Sequence, residues 1–127
     1  MTGAADMVER IDRDGAELAR LTHDSLVGAV PAPGRVRVLL FEVGTTVIEV
    51  QIDAAPSRRL LGRVKPPADV AIEMHAGEIG TDGEITAIAR SDADGAFTLA
   101  LPAQRSLVSL HCRLPDGTAV ETARVRL

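Results

Sequence analysis

Between Arg35 and Leu127 turn residues interrupt the chain so often that no segment leaves room for a helical crossover. RVRVLLFEV (Arg35 to Val43) and TVIEVQID (Thr46 to Asp53) flank Gly44-Thr45, a hairpin connection. In the second segment Ile48, Val50 and Ile52 face one way, and Val47, Glu49 and Gln51 the other. RLLGRVK (Arg59 to Lys65) carries Gly62 inside it, a mark of a bulge or a close backbone approach, and Pro66-Pro67 ends it. DVAIEMH (Asp69 to His75) alternates cleanly, with Val70, Ile72 and Met74 inward and Ala71, Glu73 and His75 outward. Glu84 to Ser91 is the next strand. Asp92, Asp94 and Gly95 then turn the chain into the alternation Phe97, Leu99, Leu101. SLVSLHCRL (Ser106 to Leu114) follows, then the turn Pro115-Asp116-Gly117, and Thr118 to Leu127 closes the chain. Short strands at roughly 8–12-residue spacing are the pattern of an antiparallel β-sandwich, here of about seven or eight strands.

Residues 5–27 read differently. Met7, Val8, Ile11, Leu18, Leu21 and Val27 recur at helical spacing, with charges between them. Gly15 interrupts that pattern at about 1 kcal/mol relative to Ala. Asp6, Glu9, Asp12, Asp14, Glu17 and Asp24 outnumber Arg10, Arg13 and Arg20, so this stretch carries most of the net charge of -4. The expected division is an N-terminal α-helix over residues 1–28, a Pro/Gly linker over 29–34, and a β-sandwich domain over 35–127. The expected core is Ile48, Val50, Val64, Val70, Ile72, Phe97, Leu99, Leu101, Val108, Leu110 and Leu114.

Composition narrows the function classes. Two Phe, no Tyr and no Trp leave no aromatic platform for single-stranded nucleic acid, and 18 acids against 14 bases give no dense basic surface. Nucleic acid is therefore not the expected partner. No apolar run approaches the ~20 residues that span a bilayer, and MTGAADMVERID lacks the features of a signal peptide, so neither membrane nor export is expected and a cytoplasmic location is the default. Cys112 stands alone, which rules out an internal disulfide.

From Arg58 to Leu127 the chain resembles a carboxypeptidase regulatory-like domain. The matching marks are Leu61-Gly62-x-Val64, Asp92-x-x-Gly95-x-Phe97 and Leu101-Pro102. The resemblance implies a transthyretin-like, Greek-key sandwich. Over nearly its full length the chain is also similar to a group of small bacterial proteins with this domain behind an N-terminal helix. That similarity rests on Ala16-Glu17-Leu18-Ala19-x-Leu21-x-x-Asp24-Ser25, on Arg37-x-Leu39-Leu40-Phe41-Glu42 and on Leu61-Gly62-x-x-x-Pro66-Pro67. The group has no assigned activity. The resemblance implies a regulatory or accessory role.

No motif carries chemistry by itself. Asp92-x-Asp94-Gly95 begins like a calcium loop, but the fifth, sixth and twelfth positions hold Ala96, Phe97 and Ala103. The ordinary reading is turn chemistry. Cys112 shares a strand face with Val108, Leu110 and Leu114, whereas His111 points the other way, so Cys112 reads as a small core residue. His23, His75 and His111 lack the close spacing of metal ligands, and alternation puts His75 and His111 on outward, solvated faces. Arg35, Arg37, Arg124 and Arg126 read as outward decoration of strands. No catalytic, cofactor or metal residue is assigned. The first expectation is a non-enzymatic binding or accessory module with a protein partner, homo-oligomerisation being open. The alternative is a small-ligand-binding or hydrolytic enzyme using His75 and His111, which requires two histidines and a carboxylate to converge.

Overall fold

The computed structural model describes residues 15–25, 37–53, 58–77, 83–102 and 106–127. Ten strands are present among them: β1 (Glu17–Asp24), β2 (Arg37–Val43), β3 (Thr46–Asp53), β4 (Arg59–Lys65), β5 (Ala71–Gly77), β6 (Glu84–Arg90), β7 (Ala96–Ala100), β8 (Leu107–Arg113), β9 (Ala119–Thr122) and β10 (Val125–Arg126). They form one sheet in the order β6-β5-β8-β9-β1-β2-β3-β4-β7, with β10 also on β8. No ladder joins β6 to β7 among the described residues, so the rolled sheet is nearly barrel-shaped rather than a clear sandwich.

β1 is what makes the sheet continuous, and it corrects the helical expectation for its residues. Glu17–Asp24 is a strand, parallel to β9 and antiparallel to β2. Leu18 and Leu21, which suggested a helical stripe, are 56% and 36% exposed, while Ala19 is fully buried. The slot between β9 and β2 offers ladder bonds on both sides, such as Ala123 N–H donating to Ala19 O at 3.0 Å. That pairing outweighs a weak local helix preference. Residues 1–14 and 26–28 of the expected helix, and the 29–34 linker, lie outside the described residues.

The other strands follow the alternation. β2 and β3 meet in full register across Gly44, whose φ of +56° suits the turn. Ten of the eleven expected core residues are buried, and Leu114 is partly buried against them. Ala19, Leu39, Phe41, Ile52, Leu60, Met74, Ala76, Cys112, Val120 and Leu127 complete the core. Each large apolar side chain there contributes about 1.5–3 kcal/mol on burial. Gly62 lies opposite Phe97 in an unbroken register, so there is no bulge, and the Phe97 ring packs over the glycine.

Side chains close the gaps in the ladder. Where β9 stops, Leu110 N–H donates to Thr122 Oγ1 at 2.8 Å. Ser91 Oγ accepts from Val70 N–H and donates to Ala68 O. Arg37 is no outward decoration: its Nη2 and Nε meet Asp24 at 2.7 and 3.1 Å, and Nη1 donates to Arg126 O at 2.8 Å. This one guanidinium ties β1, β2 and β10 together.

The turn before β7 is built as expected. Asp92 Oδ1 accepts from Asp94 N–H at 2.9 Å and from Ala96 N–H at 3.0 Å. Asp92→Ala removes both bonds and is expected to lower stability by about 1–2 kcal/mol. Thermal melts of both proteins with and without calcium check this; a calcium-induced rise lost in the variant overturns the structural role.

Candidate functional site

Strands β5 and β8 are central and buried on both faces. Ile72, Met74 and Ala76 on β5, with Val108, Leu110 and Cys112 on β8, fill the interior. Period-two alternation then sends Glu73, His75, Ser109 and His111 to the outer face. The register sets Glu73 beside His111, His75 beside Ser109, and Glu121 of β9 on the other side of His111. His75 and His111 are thus diagonal neighbours, a separation that rings can bridge. Their centroids lie 3.8 Å apart with the planes 14° from parallel.

Carboxylates flank the stacked rings. His75 Nε2 is 3.1 Å from Glu73 Oε1, and His111 Nε2 is 3.3 Å from Glu121 Oε1. Ser109 Oγ is 3.3 Å from the same His111 Nε2. The side chains of Glu73, His75 and His111 are 3%, 10% and 2% exposed. The expectation that His75 and His111 are solvated is therefore corrected: they do lie on the outward face, but they are buried in a polar cluster. His23 stands apart, exposed on β1 opposite Leu40. Among the described residues no group of three His, Cys, Asp or Glu is placed to hold a metal ion.

The cluster sits in a longer row. Pairing across five strands lines up Leu18, Glu121, His111, Glu73 and Ile88. The centre is polar and buried; the ends are apolar, with Leu18 56% and Ile88 71% exposed. Neither of two grooves on the surface contains a histidine. One of about 300 Å³ runs over β3, β4 and β7 beside Glu49 and Arg63. The other, about 270 Å³, lies between the Thr45-Thr46, Pro66 and Pro115 turns.

The arrangement bears on hydrolysis. A nucleophile–histidine–carboxylate relay needs the hydroxyl and the carboxylate on different ring nitrogens, so that one accepts the proton while the other is held. Here Ser109 and Glu121 both meet Nε2 of His111. Cys112 points into the core as expected, 1% exposed, and burial pushes its pKa up to about 12. Its thiol stays protonated while the protein is folded. Reaction with a chromogenic disulfide at pH 8 is expected to run about a hundredfold or more slower in the folded than in the unfolded chain; equal rates would contradict the burial.

Sequence reasoning joined His75 and His111 with an unnamed carboxylate in its alternative, and missed Glu73, Ser109 and Glu121 as their partners. The signal was available in Glu73-x-His75 and Ser109-x-His111, polar pairs at strand spacing inside otherwise apolar strands. No family model, no curated protein and no solved structure matches the chain.

Proposed function

We propose that the chain is a non-enzymatic binding or accessory module that makes protein–protein contacts, acting in bacterial regulation in the cytoplasm. The observation that carries this reading is the geometry of the buried cluster. Its one hydroxyl and the Glu121 carboxylate share a single imidazole nitrogen, and the cluster lies outside both grooves. Such a network fixes strands β5, β8 and β9 relative to one another. The exposed large apolar side chains Leu18, Leu21, Leu61 and Ile88 are what the surface offers a partner. The proposal includes kinship with transthyretin-like, Greek-key sandwich domains over residues 58–127, whose marks fall on the neighbouring strands β4 and β7.

The alternative, an enzyme using His75 and His111, draws on their convergence with two carboxylates. One experiment separates the two. The full chain and its His111→Gln variant are assayed against ester, phosphate-ester and peptide substrates. No turnover by either protein is expected. Turnover by the parent that the variant loses, while its melting curve is retained, overturns the proposal. Photo-crosslinkers placed at Leu18 and Ile88 of the full chain test the contacts directly, and a specific protein adduct is expected at one of them.

A further inference from the structure

We infer that β1 is a releasable clasp: it leaves the sheet as a unit while the strands on both sides of it stay folded. Without β1 the strand order divides into β6-β5-β8-β9 and β2-β3-β4-β7. Each half remains laddered through to its own end. β9 keeps its pairing with β8, and β2 keeps seven register pairs with β3. The two halves also share one core, in which Ile72, Met74, Leu110 and Val120 cluster with Leu39, Ile48, Leu60 and Leu99. Neither neighbour relies on β1 alone for its place.

β1 is held by its backbone far more than by its side chains. Of Glu17–Asp24 only Ala19 is buried, whereas β3 and β4 bury three residues each. An alanine brings little of the apolar area that fixes a strand in a core. The ladder is short as well. The parallel pairs with β9 involve Glu17, Leu18 and Ala19, all in the first half of β1, and the register against β2 breaks between Leu21 and His23. Few buried apolar contacts and an interrupted ladder mark the segments that open first. Polar contacts gather at the far end of the strand. Asp24 meets Arg37 there, Ser25 N–H donates to Val38 O, and Val38 N–H donates to Ser25 Oγ, the last two at 2.9 Å. These contacts are the latch. Arg37 also donates to Arg126 O, so its side of the latch stays in place when β1 leaves. Release uncovers the β2 and β9 edges and turns the rolled sheet into two sheets over one core.

Thiol labelling of the full chain tests this. Ala19→Cys puts a thiol at the one buried position of β1, and the native Cys112 in the core is the reference within the same molecule. The reagent is a chromogenic disulfide under native conditions, and mass spectrometry places the label. The introduced thiol is expected to react at least about a hundredfold faster than Cys112. Asp24→Asn in the same background speeds that reaction about tenfold, because Arg37 then lacks its charged partner in a poorly solvated place. Equal labelling of the two thiols overturns the inference, since β1 then leaves only when the whole chain unfolds. A rate indifferent to Asp24→Asn overturns the latch. If Ala19→Cys fails to fold, hydrogen exchange of the parent decides. The Ser25 and Ala123 amides, bonded across the two seams of β1, are expected to exchange at least about a hundredfold faster than the amides of β3 and β4. Equal protection overturns the clasp.

Discussion

Gly62→Ala is expected to lower stability by about 3 kcal/mol, at the upper end of the cost of overpacking a core. A Cβ at this position lies 2.1, 2.5 and 2.6 Å from three ring atoms of Phe97. The ring is 5% exposed and belongs to the core, so it has no free direction in which to move. Register offers no escape either, because Gly62 pairs with Val50 on one side and Phe97 on the other. Denaturant titration measures the loss, and a double-mutant cycle with Phe97→Leu assigns it. The smaller side chain is expected to cost about 1–2 kcal/mol alone, yet to recover a good part of the alanine penalty when combined. Simple additivity of the two changes would mean that the ring is not the obstacle.

Arg37→Ala comes next, with an expected loss of about 2–3 kcal/mol. Arg37 and Asp24 are only 16% and 8% exposed, so removing one partner strands charge in a poorly solvated place. The same change removes the bond to Arg126 O, which holds the last strand. Arg37→Lys keeps the charge but loses the planar fork and is expected to recover less than half of the loss. Hydrogen exchange localises the effect: amides of β1 and β10 speed up, while those of β3 and β4 do not. Equal stability of the lysine variant and the parent would reduce Arg37 to a point charge.

Most of the strands were legible because their signals are local. The Gly44 hairpin, the Asp92 to Gly95 turn and the Phe97-Leu99-Leu101 alternation each need only a few adjacent residues. β1 was not legible. Its local pattern, Leu18 with Leu21, reads as a helix, and its strand state comes from β9, about a hundred residues away. The same distance hid the role of Arg37, since Asp24 and Arg126 gain meaning only once β1 and β10 are in place. For His75 and His111, period two correctly assigned the face but says nothing of what surrounds it. Burial of that face and the pairing with Glu73 and Glu121 belong to strand order, which one sequence does not carry.

The parallel ladder between β1 and β9 also sets a schedule for synthesis. The first described strand joins the ninth, so its side toward β9 stays unfilled until Thr122 has left the ribosome. Strands β1 to β4 and β7 can assemble as a curved half-sheet on the nascent chain. The buried histidine row needs β9 as well and forms only after Thr122 has emerged. Contacts so distant in sequence form slowly. A premature stop before Ala119 would therefore leave a half-sheet with an exposed β1 edge, a species for proteases to clear rather than a smaller working module.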